Sequence, residues 1–208
     1  MNWWVWLGAL VAYALFRAWY DNWRGPLSAD EIEAFFRKMH GSKSAAENDL
    51  SVLREFLEND DGKDFVMLNL VRVERANVPH PTTGKPTPGS ELLRQYIRSF
   101  LPALIRRAGH PAVVGRKIGG YVDAWRVGAD PGWTMMGYMR YRSRRDMMLL
   151  ITQPRFLEMH PFKMAGTAET FSFPTQPQFL LFASPRWWIA LVILVAASFV
   201  QIALLLHA

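Results

Sequence analysis

From Trp187 to Leu206 the chain reads WWIALVILVAASFVQIALLL, twenty residues without a charge and with only Ser198 and Gln201 as polar interruptions. At about 1.5 Å of rise per residue, a helix of this length spans the roughly 30 Å hydrocarbon layer of a bilayer. A soluble core helix would carry a polar face, and this run has none. It predicts a transmembrane helix over residues 185–208, so the rest of the chain must fold in a way that can sit against a membrane.

A second apolar run, WWVWLGALVAYALF from Trp3 to Phe16, opens the chain and is followed by Arg17, Trp19, Tyr20 and Trp23. Snorkelling of Arg17 and interfacial anchoring by the aromatic residues extend its usable length to about eighteen residues. No Lys or Arg precedes it and no small-x-small cleavage site follows, so an uncleaved transmembrane helix is expected over residues 1–24. Arg17, Arg24, Arg37 and Lys38 follow the first span and Arg186 precedes the second. The positive-inside rule then puts the middle of the chain in the cytoplasm and both termini in the periplasm, across a bacterial inner membrane. Trp3, Trp4, Trp19, Trp23, Trp187 and Trp188 are the expected interface anchors. Gly8, Ala9, Ala12, Ala14, Ala190, Ala196, Ala197 and Ser198 offer small surfaces for close helix packing.

With both spans removed, the 208-residue chain retains enough sequence for one soluble domain. The absence of Cys excludes disulfides, thiolate metal sites and a Cys nucleophile. The net charge of +6 points to anionic lipids or an acidic protein surface as partners, and no nucleic acid is expected. Over residues 25–62, Ser28-Ala-Asp-Glu31 and Ser44-Ala-Ala-Glu47 have the capping-box pattern and predict two short amphipathic helices. Ile32, Phe35, Phe36 and Met39 would form the apolar stripe of the first, and Leu50, Leu53, Phe56 and Leu57 that of the second.

Residues 63–178 read as an α+β domain. Phe65 to Val73 is a strand by its uniform apolar and β-branched content. Pro79 to Gly89 is a loop, and Ser90 opens a helix that runs to about Ala108 with a kink at Pro102. Pro111 to Lys117 and Trp133 to Tyr141 are strands, Ser143 starts a second helix burying Met147, Leu150 and Ile151, and Glu169 to Phe173 is a last strand. The order β-α-β-β-α-β is the split arrangement of the ferredoxin-like fold.

The run MLNLVRV, the Tyr-bearing helix ending in RRAGH, the strand VVGRKIGG and the segment MGYMRYRSRRDMMLLITQPRFLEMHPFKMAGTAET resemble small members of the dimeric α/β-barrel superfamily. Asn69, Tyr96, Gly115, Tyr141, Ser143, Met148, Pro154 and Phe156 occupy the positions of that pattern, over roughly Asp64 to Thr175. The resemblance implies that two four-stranded sheets pair into a barrel, in a homodimer or with a related subunit. His160-Pro161-Phe162-Lys163 stands where a His-Arg turn is usual after the second helix.

Convergent catalytic groups are sparse. His80, His110 and His160 each precede a proline, as helix and strand boundaries do, and no HExxH, EF-hand, Walker or nucleophile-elbow pattern is present. The best constellation is Asn69, Tyr96 and His160 at the barrel interior, where a neutral imidazole and a phenol could move a proton on an aromatic or enolic substrate. Arg140, Arg142, Arg144 and Arg145 form a cationic cluster suited to docking on anionic lipid or on an acidic neighbour.

Together these features predict a non-catalytic accessory subunit of a larger bacterial membrane complex, such as a photosynthetic reaction-centre and light-harvesting assembly, a respiratory complex or a membrane monooxygenase. No cofactor is expected, and contact with pigment or lipid would be peripheral. The barrel interior would then be filled. The alternative is a membrane-tethered dimeric enzyme or binder of a small hydrophobic substrate, which requires an open cavity lined by Asn69, Tyr96, Met139 and His160.

Overall fold

The computed structural model describes residues 2–39, 49–178 and 184–207. Two compact units emerge, one from Arg24–Gln176 and one from the flanking segments Met1–Trp23 and Pro177–Ala208. The expected capping box at Ser44–Glu47 lies outside the described residues.

The larger unit begins with helices α1 (Ala29–Met39) and α2 (Leu50–Glu58). Ser28 and Glu31 form the reciprocal capping box: the Ser28 amide donates to Glu31 Oε2 at 3.0 Å and the Glu31 amide donates to Ser28 Oγ at 3.2 Å. Asp49 caps α2 by accepting from the Ser51 amide at 2.8 Å. Ile32, Phe35, Met39 and Leu57 are buried against Phe65, Leu104 and Tyr141, so both stripes are packing surfaces.

The sheet contains β1 (Phe65–Val73), β4 (His110–Arg116), β5 (Met135–Tyr141) and β6 (Thr167–Thr175). Its order is β4-β5-β1-β6 and every neighbouring pair is antiparallel. This is the ferredoxin-like arrangement, with β5 inserted between β1 and β4, the strands joined through α3 (Gly89–Arg106). Residues 79–89 are more ordered than their prolines predict, because β2 (Asn77–Pro79) and β3 (Pro86–Pro88) form a two-stranded ribbon. Both of its strands have outer edges, where a proline forfeits no ladder bond.

The second helical segment is two helices, α4 (Arg144–Ile151) and α5 (Pro154–Gly166). Pro154 disfavours a helical conformation for the residue before it, and Gln153 lies at ψ 140°, outside the helix. Pro161, in contrast, sits inside α5. His160-Pro161-Phe162-Lys163 is therefore not a turn after a helix but the middle of one, and His160 does not close it.

The smaller unit is an antiparallel pair, α6 (Trp3–Tyr20) and α7 (Pro185–Leu206). The Asn2 amide donates to Gln201 Oε1 at 3.2 Å at one end. At the other, Arg186 Nε donates to Asp21 Oδ1 at 2.7 Å and Tyr13 Oη donates to the Arg186 carbonyl at 3.3 Å. Val5, Tyr20, Ala197 and Gln201 are buried in the seam. Gly8, Ala12 and Ala14 are exposed and Ala9 is half-buried, so the first helix buries Val5 and Tyr20 rather than its small residues. The described residues contain one helix long and apolar enough to cross a membrane, Pro185–Leu206.

Candidate functional site

Strand alternation divides the residues of β1 between two faces. Met67, Asn69 and Val71 face the helices, and the register sets Met139 beside Met67 and Gly137 and Ser172 on either side of Asn69. From α3, Leu93, Tyr96, Ile97 and Phe100 come down at helical spacing, and α5 adds Phe156, His160 and Lys163. A cavity of about 500 Å³ lies between these layers, with Leu50, Leu53 and Asp49 of the α2 region also lining it. Asn69, Tyr96 and His160 thus line one space.

Their chemistry differs. Asn69 Nδ2 donates to the Met67 carbonyl at 3.0 Å and to the Gly137 carbonyl at 3.3 Å, while Asn69 Oδ1 accepts from Ser172 Oγ at 2.7 Å. Its amide is a crossbar tying β1 to both neighbours, with both N–H donors already in use. Tyr96 is buried, stacked on Phe100 at 5.5 Å and edge-on to Phe156 at 6.1 Å. Burial pushes its phenol well above the usual tyrosine range, so it stays protonated and can only donate or accept a hydrogen bond. Tyr141, stacked on Phe65 at 5.3 Å, is shifted up for the same reason. The His160 ring lies 5.8 Å from that of Phe156.

Lys163 is the lining residue that sequence reasoning did not single out. Burial lowers its ammonium pKa, and among the described residues it has neither an ion-pair nor a hydrogen-bond partner. The signal was its spacing: three residues beyond His160 on one helix, the two share a face once α5 is known to continue through Pro161. Among the described residues, no cluster of three His, Asp, Glu or Cys side chains is arranged to hold a metal.

The four arginines expected to dock on lipid or an acidic neighbour are committed within their own domain. Arg140, only 4% exposed, donates from Nε and Nη2 to Asp64 Oδ2 at 3.1 and 2.9 Å and from Nη1 to the Ala108 carbonyl at 2.6 Å. Arg142 pairs through two bonds with Asp146, both at 2.7 Å. Arg144 donates to the Phe56 carbonyl, lies 3.4 Å from Asp60 and sits over the Phe56 ring. Arg145 donates to both oxygens of Glu31 at 2.8 and 2.9 Å and to the Gly25 and Pro26 carbonyls at 3.0 and 2.7 Å. Apart from Arg142, whose partner Asp146 is four residues on, these guanidinium donors serve groups distant in sequence, and Arg144 and Arg145 fasten the region before β1 to the start of α4.

Arg145 holds the Glu31 carboxyl down to about 2, against an ordinary 4.5. The folded-state value lies below the unfolded one, so the contribution is fully present above pH 4.5 and is lost as pH falls through about 2. With Glu31 partly exposed, the expected loss is about 1–2 kcal/mol. Denaturant titrations at pH 5 and pH 3 should show a smaller acid loss in Glu31→Gln than in the parent chain.

No family model and no curated protein matches this chain. Among solved structures, a protein of unknown function from Rhodopseudomonas palustris superposes with a TM-score of 0.54 at 22% identity, over 64% of this chain and 97% of that one. The methylated form of that protein gives a TM-score of 0.53 at 23% identity, over 67% and 95% of the two chains. A dimeric protein of unknown function and ferredoxin-like fold from Bacteroides fragilis matches at 12% identity and a TM-score of 0.30, over 54% and 95%. The likeness to the Rhodopseudomonas protein is one of fold.

Proposed function

We propose that the chain is a membrane-tethered binder of a small hydrophobic molecule, held in the cavity between sheet and helices. The carrying observation is the cavity itself: about 500 Å³, lined by Asn69, Tyr96, Met139 and His160, the four residues the binder reading requires. A filled interior, as expected for a purely structural subunit, is not what the lining residues enclose. The volume lies in the range of small-molecule sites, and a mostly apolar wall with few polar groups is their usual composition. Tyr96 and His160 would orient the ligand, while Asn69 keeps the wall rigid.

The tether is α7, with α6 as a second span beside it, the termini periplasmic and the domain on the cytoplasmic side of a bacterial inner membrane. Leu10, Leu15, Leu191, Val192, Phe199 and Leu206 leave the hairpin surface apolar, as lipid contact requires. Trp3 and Trp4 at one end of the antiparallel pair, and Trp19, Trp23, Trp187 and Trp188 at the other, are exposed, which supports this reading of them as interface anchors.

The test is uptake of a neutral apolar fluorophore such as phenylnaphthylamine by the full chain in nanodiscs, against empty nanodiscs. Saturable uptake that Ile97→Trp abolishes by filling the cavity is expected. No uptake above the empty-disc background would overturn the binding reading.

A second role, docking within a larger membrane complex, is supported by a different surface. The segment between β4 and β5 projects Ile118, Val122 and Trp125 with 93%, 100% and 80% exposure, too much apolar surface for an isolated arm. The sheet face away from the helices carries Val113, Phe171 and Phe173, exposed, as the pairing face of a homodimer or with a related ferredoxin-like subunit would be. A photosynthetic, respiratory or monooxygenase complex is the proposed host. Native electrophoresis of mildly solubilised membranes, with mass spectrometry of the bands, should find this chain at fixed stoichiometry with such a complex. Migration as a free dimer would leave only the binding role.

A further inference from the structure

We infer that the occupant of the cavity is an apolar carboxylate whose head group meets Lys163. The inference rests on the binding reading above and narrows it to a ligand class.

Among the described lining residues, Lys163 is the one cationic side chain. Lys163 is half-buried and, among the described residues, has no counter-charge, an arrangement less favourable than a fully solvated ammonium, so its removal should cost the fold little. The acid in the same wall does not supply the missing charge: Asp49 is used at the start of α2, accepting from the Ser51 amide at 2.8 Å and from Ser51 Oγ at 2.6 Å. The other titratable lining groups are Tyr96 and Tyr141, held neutral by burial, and His160. A carboxylate entering the cavity completes an ion pair that the protein leaves half made, and in a desolvated site that pair is strong.

The rest of the wall selects the remainder of the ligand. Met67, Met135, Met139 and Met147 line the space, and unbranched thioether side chains adapt to tails of different shape. A single ammonium without an arginine fork suits a monoanionic carboxylate better than a phosphate, which carries more charge and more acceptor oxygens than one Lys can satisfy. Burial lowers the pKa of Lys163 in the empty cavity, and a carboxylate beside it acts in the opposite direction by favouring the charged form.

The experiment displaces phenylnaphthylamine from the full chain, in nanodiscs of zwitterionic lipid, with decanoate or decanol, using the parent chain and Lys163→Met. Decanoate should displace the fluorophore at about tenfold lower concentration than decanol from the parent chain. In Lys163→Met that preference should vanish while decanol is unchanged, and thermal unfolding should show the variant about as stable as the parent. Equal displacement by both probes from the parent chain overturns the carboxylate assignment and leaves the cavity reading intact. A preference for decanoate that survives Lys163→Met overturns the role of Lys163. Failure of phenylnaphthylamine to bind at all overturns the binding reading itself.

Discussion

Asp146→Ala should lower the stability of the larger unit by about 3–5 kcal/mol, the largest effect expected from any single charge removal in this chain. Asp146 is 5% exposed and accepts from Arg142 Nε, Arg142 Nη2 and Ser143 Oγ, each at 2.7 Å, while its own amide donates to Ser143 Oγ at 3.1 Å. The carboxylate therefore does two jobs. It neutralises a partly buried guanidinium, and it completes the capping of α4, whose first free amides point at the same place. Truncation strands Arg142 and the fully buried Ser143 together. Asp146→Asn, which keeps the shape and loses the charge, should fall between the two. Thermal unfolding of the full chain in mild detergent, followed by near-ultraviolet circular dichroism, gives the order, with the Ala variant melting roughly 10 °C lower. A double substitution, Arg142→Met with Asp146→Ala, should recover part of the loss, because it removes the stranded charge as well.

Gly166→Ala is expected to cost about 3 kcal/mol, though alanine is the better helix former. A Cβ on Gly166 would stand 2.7 Å from the Gly89 carbonyl oxygen and 2.7 Å from the Leu93 nitrogen. Both are backbone atoms at the start of α3, so no side chain can rotate out of the way. Gly89 in turn abuts Glu74 at the end of β1, where its own Cβ would come within 2.6 Å of the Glu74 carbonyl oxygen. The end of α5, the start of α3 and the end of β1 thus meet through two residues without side chains. Relief of the clash must move α3 from α5, the two helices that roof the cavity. Lower uptake of phenylnaphthylamine should therefore accompany the lower melting temperature. An alanine variant as stable as the parent would sink this account of the contact.

Much of the fold is legible in the sequence because its signals are local. Phe65–Val73 has strand content and nothing else, the Ser28–Glu31 box starts a helix in the expected way, and the β-α-β-β-α-β order then leaves the ferredoxin-like arrangement as the natural one. The two prolines of the second helical segment show where local signals stop. Pro154 breaks the helix and Pro161 does not, although both lie in one helical stretch of sequence. The difference is tertiary, since buried Phe162 and Gly166 hold the second half of α5 against α3 and the sheet. Once Pro161 is placed inside a helix, His160 and Lys163 share a face, and a lysine that composition alone assigns to solvent becomes part of the cavity wall. The arginines invert in the same way. Alternation indicates which side of the strand each leaves, but Asp64, Asp60 and Glu31, which receive them, come from elsewhere in the chain.

The hairpin of α6 and α7 joins segments far apart in sequence, with Asn2 and Gln201 separated by 199 positions. At a synthesis rate of about 5–20 residues per second, Asn2 waits roughly 10–40 s for its hydrogen-bond partner to be made. Over that interval the ferredoxin-like unit has all of its strands and can fold, whereas α6 has no helix to lie against and Asp21 has no Arg186. Assembly is therefore ordered in time by connectivity, with α6 able to pair with α7 only after the whole of the unit between them has been made.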